Sequence, residues 1–319
     1  MVGKEGACMH YTGTIWRPPY ESDSLLLEAT AGCTHHKCKF CTLYDDLPFN
    51  FGMSPLRDIE DDLREAQTFC HDPVAALTAR LRGQSTAGAP RRVFLTGANP
   101  FVLKYDRLVK IAELIHQYLP ACQSIGCFAR VTDVTLKTDA ELTALHHAGY
   151  NGLTIGIETG DDEALAFMHK GYQASNILTQ CQRLDRAGIQ YSFFYLVSIS
   201  GAGRGEIGAR RTAEICNQLH PQLIGANMLT IYPNSALYRE LQRGTWAEES
   251  ETEKYREMQT LVRELTIPTT FAAMGASNAF HLYGELPQDR EKLLTAMDRI
   301  ITRVGEDKLR QYRTTLPHL

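Results

Sequence analysis

The chain has 319 residues, 44% hydrophobic and 22% charged, with a formal net charge of -4. That length suits one large α/β domain, or a barrel with an appendage. The charge balance shows no basic stripe of a nucleic-acid module, though it leaves a weak tRNA contact open. No apolar run is long enough to span a membrane, and Met1-Val2-Gly3-Lys4-Glu5 lacks the apolar core of a signal peptide. A cytoplasmic location is expected. In that reducing compartment the nine cysteines are not read as a disulfide framework.

The first 24 residues form an arm. Arg17-Pro18-Pro19-Tyr20-Glu21 favours an extended lead-in, either an ordinary surface segment or a cover for a site. Leu25 to Thr30 reads as a strand with a turn at Ala31-Gly32. It runs into Cys33-Thr34-His35-His36-Lys37-Cys38-Lys39-Phe40-Cys41, a C-x4-C-x2-C triplet. A helix is expected from about Arg57 to Cys70, with Ile59, Leu63 and Ala66 on its inner face. Gly83 to Pro90 reads as a loop.

From there strands alternate with helices. The strands are Arg92–Thr96, Ser124–Ala129, Gly152–Ile157, Gln190–Val197 and Leu223–Leu229. Between them, helices are expected near Arg107–Tyr118, Asp139–Ala148, Asp162–His169, Ser175–Ala187 and Glu206–Leu219. Six strands in this alternation imply parallel βαβ units with right-handed crossovers. Periodicity does not choose between a barrel and a doubly wound sheet. From about Tyr232 the chain reads as mostly helical.

In parallel α/β folds ligands gather at the carboxyl ends of strands, and each unusual motif sits at such an end. The cysteine triplet follows the first strand and Gly97-Ala98-Asn99 the second. Arg130 ends the third, and Glu158-Thr159-Gly160 the fourth. Three thiolates this close are metal ligands, and soft anionic sulfur favours an iron–sulfur cluster or zinc. Zinc would take the three cysteines plus His35 or His36. Cys8, Cys70, Cys181 and Cys216 read as buried apolar residues, and no second cysteine cluster is present.

The triplet, with aromatic Phe40 before its last cysteine, resembles that of the radical S-adenosylmethionine (SAM) superfamily. Its first gap is one residue longer than the common C-x3-C-x2-C. Gly156-Ile157-Glu158-Thr159-Gly160, followed by Met168-His169-Lys170-Gly171, is similar to the segment shared by oxygen-independent coproporphyrinogen oxidases and tRNA methylthiotransferases. The resemblance spans about Leu25 to Leu237. It implies a partial (βα)6 TIM-like barrel over residues 25–231, after an arm at 1–24 and before a helical C-terminal extension at 232–319.

The resemblance also implies cofactors and roles. Cys33, Cys38 and Cys41 would ligate a [4Fe–4S] cluster whose remaining iron is open to SAM. Glu158 would accept hydrogen bonds from the SAM ribose. Gly97, Ala98 and Asn99 would receive the methionine ammonium, Asn99 standing where the family usually has an acid. An acid at position 99 is therefore expected to be tolerated. Arg130 would pair with the methionine carboxylate, and Phe40 would flank adenine. A donor such as flavodoxin or ferredoxin would reduce the cluster. Reductive cleavage of SAM would give a 5′-deoxyadenosyl radical that takes hydrogen from an unidentified substrate. Neither a cobalamin motif nor a second cluster motif is present. His281 is a candidate catalytic residue with no motif behind it. The rival expectation from another class is a zinc-stabilised, non-enzymatic binding protein.

Overall fold

The computed structural model describes residues 9–70, 72 and 90–316. Cys8 and residues 83–89 of the expected loop lie outside them. The strands are β1 (Leu25–Glu28), β2 (Thr30–Gly32), β3 (Phe51–Met53), β4 (Arg92–Thr96), β5 (Ser124–Ala129), β6 (Tyr150–Glu158), β7 (Tyr191–Val197), β8 (Leu223–Met228), β9 (Thr269–Ala273) and β10 (Leu282–Leu286). The helices are α1 (Leu56–Cys70), α2 (Tyr105–Tyr118), α3 (Val131–Val134), α4 (Asp139–His147), α5 (Asp162–Phe167), α6 (Ala174–Ala187), α7 (Gly205–Cys216), α8 (Ala236–Arg243), α9 (Glu251–Glu264), α10 (Arg290–Arg299) and α11 (Glu306–Arg313).

One eight-stranded sheet runs in the order β1-β4-β5-β6-β7-β8-β9-β10, every neighbouring pair parallel except the last. Its first six strands are the expected partial barrel. Strand β7 shows how the layers form. Tyr191, Phe193, Tyr195 and Val197 are buried on one face, under the helices. Phe194 and Leu196, on the other face, are only half-buried. Side chains alternate across a strand, so a near-continuous apolar run fills both a helix-covered core and the barrel interior. Inside the barrel Phe128 stacks edge-on against Phe94, with ring centroids 5.1 Å apart, and lies 6.2 Å from Phe194.

Helix ends follow local chemistry. Thr138 caps α4 by accepting from the Glu141 amide, while the Glu141 carboxylate takes the Thr138 amide, a reciprocal capping box. Helix α6 stops at Gly188, whose φ of 78° most side chains avoid.

Two features depart from expectation. A short antiparallel pair, β2 with β3, closes over the start of the cysteine loop. The segment after Tyr232 is helical in α8 to α11, yet it also carries β9 and β10, which extend the same sheet. Asn278–Gly284 therefore leads into and begins a strand. Both strands are five residues long, and their alanines and glycine hide the β signal.

Helix α9 brings a buried acid against the outer face of the sheet. The Glu257 carboxylate accepts from the Tyr195 hydroxyl and from the Ser198 amide, the latter at 2.6 Å. Glu249 lies beside it, and a Cβ on residue 205 would meet oxygens of both carboxylates. Burial, with Glu257 adding to it, pushes the Glu249 carboxyl well above the ordinary range. A raised acid holds a proton in the native state that the unfolded state has released. Its contribution is complete below the unfolded value and declines as pH rises toward the folded one. Glu249→Gln keeps a donor toward Glu257 without needing that proton. The variant should lose less melting temperature than the parent between about pH 5 and pH 9. Parallel melting curves with equal losses would refute the assignment.

Candidate active site

The cysteine loop starts where β2 ends. Gly32 has φ of 76°, and a Cβ there would lie 2.2 Å from the Asn50 carbonyl oxygen. Only glycine allows β3 to approach so closely, and the Cys33 amide then donates to the same oxygen at 2.7 Å. Further along, the Lys39 amide donates to Met168 O at 3.1 Å, and the Leu237 amide donates to Lys39 O at 2.7 Å. Lys39 also pairs with Glu240 on α8 at 2.8 Å. The loop is held between the β6 exit and α8. The extra residue of the triplet is absorbed at His36, which adopts a left-handed φ of 44°.

Cys33, Cys38 and Cys41 line one cavity of about 430 Å³ at the carboxyl ends of the barrel strands. Ala98, Arg130, Glu158 and Phe40 line it too, so three strand ends and the cysteine loop converge on it. Burial pushes the Cys38 thiol up, opposed by nearby Lys170 and Arg130, while Cys41 is exposed on the cavity.

Among the described residues, no three His, Cys, Asp or Glu side chains are grouped to hold a metal ion. Neither histidine of the zinc expectation lines the cavity. His35 Nε2 lies 2.5 Å from the His169 carbonyl oxygen, and His36 Nε2 lies 3.5 Å from Asp45. A structural zinc needs four donors converging on one point. Three thiols on one cavity wall, each free to meet a different iron, suit a cluster instead.

Glu158 sits at the end of β6 where the register with β7 slips, in a left-handed conformation with φ of 64°. A non-glycine residue there is strained and must be held by its surroundings. Lys170 holds it. Its Nζ, with the side chain 5% exposed, donates to Glu158 Oε1 at 2.9 Å and to Gly156 O at 3.1 Å. Burial is the largest influence and opposes the Lys170 charge, but Glu158, Tyr172 and Cys38 together hold the ammonium above its usual range. Oε2 of Glu158 makes no hydrogen bond within the described residues and is free for a ligand. Lys170 also lines the cavity. It lies inside the Met168-His169-Lys170-Gly171 motif, whose sequence alone assigns it no role. Its one signal was a lone basic residue at a fixed distance after Glu158.

Arg130 lies at the exit of β5, 8% exposed, with its guanidinium donating to the Lys170 carbonyl at 2.5 Å. The Gly97-Ala98-Asn99 turn reaches the cavity through Ala98. Gly97 is glycine because a Cβ would meet Thr30 atoms at 2.1 and 2.3 Å. The Ala98 amide donates to Gly32 O at 3.3 Å, so only its cavity-facing surface is available. Neither Gly97 nor Asn99 lines the cavity. The Asn99 amide is fully buried and donates to Thr34 Oγ1 at 2.8 Å and to both Asp133 oxygens at 3.1 and 3.2 Å.

An acid at position 99 would therefore face another carboxylate. Burial already pushes Asp133 up to about 6, despite donors from the Arg130 amide and Asn99. Asn99→Asp removes the donor and adds a like charge. The expected cost is roughly 1–3 kcal/mol, larger above neutral pH, where both carboxyls tend to ionise. Urea unfolding near pH 5 and near pH 8 measures it. Unchanged stability at both would reverse this placement.

His281 is exposed and is not among the residues lining the cavity. The neighbouring Gly275, Ala276 and Ser277 are. The structure does not bring this candidate to the site.

A sequence model described as the Radical SAM superfamily matches residues 27–206, more than half of the chain. The heme chaperone HemW of Bacillus subtilis is 23% identical over 100 residues, 31% of this chain and 26% of that protein. The chain thus matches about a quarter of that curated relative. HydG, a maturase of the [FeFe]-hydrogenase, superposes with a TM-score of 0.52 at 12% identity, covering 86% of this chain and 55% of HydG. The radical SAM methyltransferase TsrM of Kitasatospora setae gives 0.51 at 16% identity, covering 69% and 37%. Methylornithine synthase gives 0.50 at 14%, covering 77% and 64%. At such identities these structures are similar in fold. Among the described residues, no helix is long and apolar enough to cross a membrane.

Proposed function

The chain belongs to the radical SAM superfamily, and from that premise we propose which of its residues serve the cofactors and what reaction follows. It is a radical SAM enzyme, and its cofactors are those of the superfamily, a [4Fe–4S] cluster and SAM. When bound and reduced, they supply cleavage of the SAM carbon–sulfur bond and a 5′-deoxyadenosyl radical that abstracts hydrogen from the substrate.

Cys33, Cys38 and Cys41 hold the cluster. Glu158 offers its free Oε2 to the ribose hydroxyls, while Lys170 fixes the other oxygen. Arg130 binds the methionine carboxylate by a charge-assisted pair. Phe40 and the Ala98 surface flank the bound cofactor. Asn99 acts from behind, orienting Thr34 and Asp133 beneath the loop. A flavodoxin- or ferredoxin-type protein supplies the electron. The observation that carries this reading is that the three thiols, Arg130 and Glu158 line one cavity at the carboxyl ends of parallel strands.

The test is direct. Anaerobically reconstituted protein, reduced with SAM present, should release methionine and 5′-deoxyadenosine in equal amounts. SAM recovered intact would overturn the proposal.

A further inference from the structure

The cavity has a second wall that the cofactor assignment leaves unused. It is built from the exits of β7 and β8, the loop after β9, and the N-terminal arm. The arm is fixed at both ends. Trp16 Nε1 donates to the Leu43 carbonyl, just past the cysteine loop, at 3.2 Å. Tyr20 shares a hydrogen bond of 2.8 Å with Thr154 in the middle of β6, and its ring lies 6.4 Å from that of Phe194. Next to it, buried Glu21 takes Arg92 in a two-point pair at 2.8 and 2.6 Å. The arm therefore crosses from the cysteine loop to the barrel interior as a fixed part of the wall.

Three observations give that wall a chemistry. Trp16, Phe194, Leu196 and Met228 make much of it apolar. Arg17, between the two anchors, lines the cavity with no carboxylate partner among the described residues. Among the described residues the exposed guanidinium donates only to the Ser22 carbonyl, at 3.3 Å. Asn227, on β8, lines the cavity with an amide that makes no hydrogen bond among the described residues. Residue 275 is glycine where a Cβ would fall 2.1 Å from Asn227 Oδ1, so the neighbouring loop leaves room for that amide. The other cations of the cavity are committed: Lys170 to Glu158, and Arg130, by the reading above, to SAM.

We propose that this wall is the substrate subsite, and that it takes an organic oxyanion. The ligand carries an apolar body against Trp16 and Phe194, a carboxylate or phosphate on Arg17, and a neutral polar group on Asn227. A guanidinium fork matches both oxyanions by paired hydrogen bonds. A cavity-wall amide without a partner favours a ligand that supplies one. The proposal rests on the cofactor reading of the opposite wall.

The experiment uses reconstituted, SAM-loaded protein with four fluorescent probes: naphthylacetate, naphthyl phosphate, naphthylacetamide and naphthylmethylamine. Iron content and SAM affinity are measured first on the same samples, so a failed cofactor reading shows before any probe is added. At least one anion should bind about tenfold more tightly than the amide and the amine, and the tighter of the two anions identifies the oxyanion. Arg17→Gln should remove that preference, and Arg17→Lys should restore part of it, with iron content and SAM affinity unchanged. Asn227→Leu should weaken naphthylacetamide, the probe with a neutral polar group, while the anions stay the tightest binders. Equal binding of the anions and the amide, no detectable binding of either anion, or a preference that survives Arg17→Gln overturns the proposal.

Discussion

Cys38→Ala protein, reconstituted anaerobically, should hold almost none of the roughly four irons per chain expected of the parent by three-cysteine cubane ligation. In the proposed ligation each thiolate would meet a separate iron, so losing one would leave a corner without its anionic ligand. SAM cleavage should fall at least about a thousandfold, equivalent to about 4 kcal/mol of activation free energy. Cys33→Ala and Cys41→Ala should behave alike, since all three line the same cavity. Cys127→Ala is the control. Its side chain is fully buried in the core of the sheet, so that variant should keep its iron and lose only stability. Normal iron content in any one of the three loop variants would remove that cysteine from the ligand set.

Glu158→Gln should leave iron content intact and weaken SAM binding by about 10- to 100-fold, as expected for losing a charged hydrogen-bond acceptor worth roughly 1.5–3 kcal/mol. The structure adds a complication that the sequence did not show. Glu158 is also the counter-ion of Lys170. Removing one partner of a buried pair is strongly destabilising, by about 3–5 kcal/mol when the other charge is left alone. The single variant should therefore both melt earlier and bind SAM weakly. Glu158→Gln combined with Lys170→Met removes the stranded charge. Stability should recover in large part, while SAM affinity should not. The coupling between the two sites separates the structural role from the ligand role. Calorimetric SAM titration that gives the parent affinity for the double variant would show that Glu158 only pairs with Lys170.

The barrel was legible because its strands are apolar runs bounded by glycine and charged residues. Arg92–Thr96 and Ser124–Ala129 fall where the pattern put them. The first helix was readable from Ile59, Leu63 and Ala66, all buried. The convergence of strand ends followed from the parallel topology alone. What escaped was tertiary. Asn99 sits in the right turn, but its direction depends on Asp133, 34 residues away, and no local pattern encodes that choice. Gly97 is shaped by Thr30 on the neighbouring β2, where the motif suggested a ligand. Lys170 acquires its role only because a bulge turns Glu158 toward it. The arm read equally as a lead-in or a cover, and the Trp16, Tyr20 and Glu21 contacts place it on the cavity wall. β9 and β10 are too short to stand out against the helices around them.

The central claim is that SAM meets an iron–sulfur cluster held by the cysteine loop. Electron paramagnetic resonance of the reduced, reconstituted parent with and without SAM tests it most directly. The account predicts a reduced [4Fe–4S] signal whose g-values shift when SAM is added, because the open iron gains a ligand. A cluster signal that ignores saturating SAM, or a protein carrying stoichiometric zinc and giving no cluster signal, would contradict it.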